Sequence, residues 1–214
     1  AGWEMPGNPM SGSGFDYHLA RYAGSMYVAY NTGSNIRLLK WNERENWKTI
    51  YTSPTASNGI TITADSEGVY LAYISSDNSK LYAYKYTTSG GTDLGIVAEN
   101  AAYISSPVIS AENGQIAVAY REFRADDRWS VYKYDGRWKP AGSLSVRATG
   151  ATMKIHKGNI YFLSNCEKGN GNAGYLYLYP LSASDGKWTQ VKQDSYMDKG
   201  ASSLDLCFHG DLTF

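Results

Sequence analysis

Apolar and aromatic positions recur along this chain in short alternating runs, the two-residue period of half-buried strands, and not at helical spacing. Four segments share an apolar-aromatic core: Tyr27-Val28-Ala29-Tyr30, Tyr70-Leu71-Ala72-Tyr73, Ala117-Val118-Ala119-Tyr120 and Tyr161-Phe162-Leu163-Ser164. Their last residues, at positions 30, 73, 120 and 164, are spaced 43, 47 and 44 apart. A glycine precedes each core, at Gly24, Gly68, Gly114 and Gly158, where a tight reversal needs one. Before the glycine comes an alternating strand, clearest in Ile60-Thr61-Ile62-Thr63-Ala64, so each unit begins with a hairpin. A polar loop after the core leads to a third strand, which ends in Lys40-Trp41, Lys85-Tyr86, Lys133-Tyr134 and Leu178-Tyr179. Asp135-Gly136 and Asp185-Gly186 then predict a second turn. Trp47, Trp138 and Trp188 open a fourth strand in three units, whereas the second unit uses Thr92-Asp93-Leu94-Gly95.

Four strands in about 45 residues is the period of a propeller blade. A single blade cannot bury both faces, so blades must stack, with aromatics of the second and third strands as filling. The fold expected is all-β: one β-propeller domain over residues 1–214, with five blades of about four antiparallel strands. The repeats fall near 17–51, 58–98, 106–143 and 150–192, and a last blade combines 202–214 with 3–7. Trp3-Glu4-Met5-Pro6-Gly7 matches Trp138-Lys139-Pro140-Ala141-Gly142, which makes the opening segment an isolated fourth strand. Gly210 matches Gly158, so the closing segment supplies a first strand and most of a second. The fifth blade is then one strand short, a place for a further segment or a second molecule.

Composition narrows the partners. Twenty basic and twenty acidic residues give a formal net charge of zero, which argues against nucleic-acid binding through a basic excess. No run approaches the roughly 20 apolar residues of a membrane helix, so no membrane insertion is expected. The chain holds 19 Tyr, 22 Gly and only 19% charged residues, which fits a secreted or cell-surface domain. Cys166 and Cys207 fit either one disulfide or two buried thiols.

Few motifs carry chemistry. Gly169-Asn170-Gly171-Asn172-Ala173-Gly174 spells a dinucleotide fingerprint but lies between two strands with no helix to follow, so it reads as a hairpin loop. Ser182-Ala183-Ser184-Asp185-Gly186-Lys187-Trp188 approaches the Asp-box of sialidase propellers but misses its spacing, and an Asp-Gly hairpin explains it better. His18, His156 and His209 lack ligand spacing. No cofactor, metal site or catalytic residue is expected. The most charged stretch runs from Arg121 to Arg128 and is expected in the loop between the second and third strands of the third unit. Such loops share a rim with the connections between blades. Arg121, Glu122, Phe123, Arg124 and Asp127 are therefore the first candidates for ligand contact, with Asp77 and Asn78 in the equivalent loop of the second unit behind them. The plainer reading is a solvated, self-paired loop.

The combined pattern, best seen from Ser106 to Gly142, resembles the repeats of bacterial cell-surface β-propeller proteins. It is also similar to tachylectin-type and fucose-binding propeller lectins, through Trp-x-x-x-Gly endings like Trp138 to Gly142. The resemblance implies the fold and a bacterial source, and it assigns no binding residues. The function expected is a non-catalytic extracellular module that recognises a carbohydrate or a cell-surface protein through its loop face. The rivals are a sialidase-like glycoside-acting enzyme, with two carboxylates about 5 to 9.5 Å apart, and a purely structural assembly domain.

Overall fold

A computed structural model describes residues 17–43, 46–55, 57–99, 104–123, 128–145, 148, 150–165, 174–180, 187–194 and 206. They form sixteen strands in four sheets. The first sheet holds β1 (Tyr17–Tyr22), β2 (Ser25–Asn31), β3 (Ile36–Asn42) and β4 (Asn46–Thr52). The second holds β5 (Ser57–Ala64), β6 (Val69–Ser75), β7 (Lys80–Thr87) and β8 (Gly90–Glu99). The third holds β9 (Ile104–Glu112), β10 (Gln115–Glu122), β11 (Arg128–Tyr134) and β12 (Trp138–Leu144). The fourth holds β13 (Ala151–His156), β14 (Asn159–Asn165), β15 (Gly174–Pro180) and β16 (Thr189–Asp194). Each sheet is a four-stranded meander in chain order. The segments 3–7 and 202–214, assigned above to a fifth blade, lie outside the described residues except for Leu206, and so do Cys166 and Cys207.

The repeat is a repeat of register. Trp41, Tyr86, Tyr134 and Tyr179 lie opposite Met26, Val69, Ile116 and Ile160, the residues just before each apolar core. Between the third and fourth strands every sheet carries a bulge at the same level, at Leu38/Leu39, Ala83/Tyr84, Val131/Tyr132 and Leu176/Tyr177. Bulges sharpen the local twist, here on the strand at the sheet's edge. The first turns differ in chemistry. Ala23-Gly24, Asn113-Gly114 and Lys157-Gly158 all have positive φ at both positions, the two-residue turn that suits strand twist. Gly68 is required for another reason: a Cβ there would stand 2.7 Å from the Tyr86 carbonyl oxygen. That turn is fastened by Asp65, whose Oδ1 accepts from the Glu67 and Gly68 amides.

The chain divides into two compact units, residues 1–107 and 108–214. In the first, Tyr27, Ala29, Ile36 and Leu38 of the first sheet pack on Ile60, Val69, Leu71 and Tyr73 of the second. In the second, Ala117, Ala119, Trp129 and Val131 of the third sheet pack on Met153, Ile155, Ile160 and Phe162 of the fourth. The same faces are used in both. Register makes Ile36 equivalent to Trp129, since each lies opposite the residue that follows its core tyrosine. It likewise makes Tyr73 equivalent to Ser164. At these two positions the first unit thus has an aliphatic and a large ring, and the second an indole and a serine. Trp129 is fully buried, meets Phe162 edge-on at 5.4 Å and donates its Nε1–H to the Ala148 carbonyl oxygen at 3.3 Å. A second indole fastens this unit: Trp188 donates to the Ala141 carbonyl oxygen at 2.9 Å, and its ring passes against Gly142.

Candidate functional site

The charged stretch is only partly a loop. Arg121 and Glu122 end β10 and Arg128 begins β11, with Glu122 directly opposite Arg128 and Arg121 opposite Trp129. The hairpin extends further than the run of charges indicates, because its residues pair across the sheet. Arg124 and Asp127 lie outside the described residues.

Strand alternation sends Arg121 and Glu122 to opposite faces. Glu122 is buried, and a buried carboxylate has to be paired and hydrogen-bonded. Its Oε2 accepts from the Arg128 guanidinium, with Nε and a terminal nitrogen each at 3.0 Å. Its Oε1 accepts from the Ser130 hydroxyl at 2.5 Å and the Tyr120 hydroxyl at 3.3 Å. Burial, with the neighbouring Tyr132 and Glu122 next in weight, pushes the Tyr120 phenol well above its ordinary range. Tyr120 therefore stays a protonated donor to this carboxylate at any ordinary pH.

Arg121 follows Ala117 and Ala119 along the other face. Only 8% of it is exposed, and its guanidinium carbon stands 4.9 Å from the centroid of the Phe123 ring. Phe123, the first residue after β10, is 57% exposed. The pair is an open apolar ring face backed by a cation, held by a strand end whose other face is locked by Glu122. Such a surface can stack on a sugar's C–H face while guanidinium donors address ring substituents.

Asp77 and Asn78 belong to the β6–β7 turn in the first unit and are engaged in building it. Asp77 Oδ1 accepts from the Ser75 hydroxyl, the Ser79 amide and the Ser79 hydroxyl at 2.5, 3.0 and 2.8 Å. These bonds, the Ser75 hydroxyl foremost, hold its carboxyl down at about 2. Asn78 is buried in the left-handed region at φ 57°, and its amide donates to the Ser75 carbonyl oxygen at 2.9 Å. The structure thus brings Arg121 and Phe123 together, turns Glu122 away from them, and gives Asp77 and Asn78 a cluster of their own. Arg128, Ser130 and Tyr120 were not singled out in the sequence as Glu122's partners. Pairing β10 with β11 from the end of the hairpin would have found Arg128. His156 is half-buried at the end of β13, with Nδ1 3.4 Å from Glu112 Oε1. Among the described residues no three His, Cys, Asp or Glu side chains gather to hold a metal ion.

No family model matches this chain, and no curated protein does. Solved structures do. The six-bladed fucose-recognising lectin of the fungus Aleuria aurantia superposes with a TM-score of 0.55 at 13% identity, over 84% of this chain and 64% of that one. The fold is that of a β-propeller. SapL1 lectin, solved with α-methyl fucoside, gives 0.53 at 15% identity, over 84% of this chain and 63% of that one. AofleA from Arthrobotrys oligospora gives 0.54 at 15%, over 85% of this chain and 57% of that one. This chain spans less than two thirds of the length of each. The arabinanase from Bacillus licheniformis falls lower, at 0.48.

Proposed function

We propose that this chain is a non-catalytic, extracellular carbohydrate-binding module built on a propeller of five blades in one domain, with its ligand at the β10–β11 end. The observation that carries the reading is the Arg121–Phe123 pair, an exposed ring backed by a guanidinium on a strand end that Glu122 fixes from behind. Support comes from the propellers it superposes on, two of which are described with fucose or a fucoside. Phe123 supplies the stacking face and Arg121 the directed donors, while Arg124 and Asp127 add further ligand contacts. Glu122 acts on Arg128 and Ser130 as a positioning residue. Asp77 and Asn78 shape the rim turn of the first unit. A bacterial cell surface is the location that fits the repeat's resemblance and its polar, tyrosine-rich composition.

A glycan array that includes fucosylated chains, probed with the purified protein, tests this directly. Binding to a related group of glycans should be lost in Phe123→Ala and weakened in Arg121→Lys, whose point charge cannot reproduce a forked donor. A silent array, or binding that both variants retain in full, would refute the placement of the site.

A further inference from the structure

In the first unit four tyrosines gather between the first and second sheets in an order that bears on chemistry other than ligand binding. Tyr51 of β4 and Tyr73 of β6 share a hydrogen bond between their hydroxyls at 2.9 Å, with ring centroids 6.4 Å apart. Each is backed by a second phenol. Tyr84 lies flat on Tyr51 at 3.9 Å and 24°, and Tyr82 lies flat on Tyr73 at 5.2 Å and 17°. Tyr73 is buried, whereas Tyr51, Tyr82 and Tyr84 are half-buried. Burial raises the Tyr51, Tyr73 and Tyr84 phenols, with the Asp93 carboxylate adding to the rise in each. They are neutral phenols at ordinary pH.

We propose that Tyr51 and Tyr73 are a site of oxidative cross-linking, joined by a dityrosine bond that staples β4 of the first sheet to β6 of the second. The ortho carbons flank each hydroxyl, so a hydroxyl-to-hydroxyl contact brings one from each ring within reach of the other on a small rotation, and the coupled product keeps the same hydroxyl-to-hydroxyl hydrogen bond. The reaction consumes two equivalents of a one-electron oxidant. Each phenol gives up one electron and its hydroxyl proton, leaving two phenoxyl radicals. Their ortho carbons form one C–C bond, and the two ortho hydrogens move to the oxygens to restore the phenols. In sum, two electrons and two protons leave and one bond forms. The half-exposed stacked rings, Tyr82 and Tyr84, give electrons a way out from the pair without an oxidant touching Tyr73 itself. The bond would close a loop between positions 51 and 73 and so restrict the unfolded chain, as a disulfide does.

The test is to oxidise the purified full chain with a photo-generated one-electron metal-complex oxidant at low protein concentration, and to map linked peptides by mass spectrometry. The expected product is a monomer carrying a 51–73 peptide pair two hydrogens lighter, with dityrosine fluorescence and a raised melting temperature. Tyr51→Phe should lose this product while the exposed Tyr17→Phe variant retains it. Tyr84→Phe, which leaves both coupling phenols in place, should slow its formation and covers the case in which Tyr51→Phe fails to fold. Cross-links confined to Tyr17 between chains, a dityrosine at some other pair, or a yield that Tyr51→Phe does not change would each overturn the proposal.

Discussion

The exchange of sizes between the two interfaces makes a quantitative prediction. Trp129 of the third sheet stands where the first sheet has Ile36, and Ser164 of the fourth stands where the second has Tyr73. If Trp129 fills room that a ring at 164 would otherwise occupy, the two positions are coupled. Trp129→Ile alone removes a fully buried indole and should cost about 2–4 kcal/mol, the range of large-to-small core changes. Ser164→Phe alone forces a ring into a filled space and should cost about 1–3 kcal/mol. Phenylalanine is the right choice because Tyr73 has the Tyr51 hydroxyl to bond, whereas the residue equivalent to Tyr51 is Gly142. Among the described residues the serine hydroxyl lost in this change has no hydrogen-bond partner, so its removal carries no penalty there. The double variant recreates the aliphatic-plus-ring pairing and should be more stable than the sum of the singles by about 2 kcal/mol. Urea denaturation of all four proteins measures this, since at an m-value of about 2 kcal/mol per molar the coupling moves the midpoint by about 1 M. Costs that add to within about 0.5 kcal/mol would show that the two residues do not share the space.

Two more predictions concern the carboxylates. Glu122→Gln keeps the shape but not the charge that holds Arg128 and Ser130. With Arg128 one third exposed and able to regain water, the loss of stability should be about 1.5–3 kcal/mol by denaturant titration. Asp77, held at about 2 against an ordinary 3.8, contributes stability that is complete above pH 4 and disappears as pH falls from 4 to 2. Asp77→Asn should therefore melt below the parent at pH 7 and approach it near pH 2, while equal pH dependence in both proteins would assign the acid transition elsewhere.

The blade was legible because its signals are local. Alternation, a glycine at each first turn and the aromatic ends of the third strands fix which residues face each other, and the register follows them in all four sheets. Gly68 shows where the same letter had another cause. Its neighbours fold an Asp65-fastened turn, and the glycine answers to the Tyr86 carbonyl across the sheet, a contact that no turn rule contains. The bulges were invisible, since Ile50, Leu94, Ala141 and Val191 share no residue type that announces an extra position.

The candidate site was less legible, for a reason that applies to any charged run. Seen as a string, Arg121 to Arg128 is a polar loop. Seen as a hairpin it is a strand end with two chemistries, because alternation places Glu122 inward among Arg128, Ser130 and Tyr120 and sends Arg121 to the other face with Phe123. Charge alone cannot separate the residue that fastens the scaffold from the residue that meets a ligand; the cross-strand partner does. By the same logic, the feature least marked in the sequence, a tyrosine at the end of β4, becomes reactive only through what the neighbouring sheet sets against it. In a repeat protein the repeated letters build the frame. The positions where equivalent residues differ, Ser164 against Tyr73 and Arg121 against Asn31, are where one interface is made unlike the next, and specificity should be sought there.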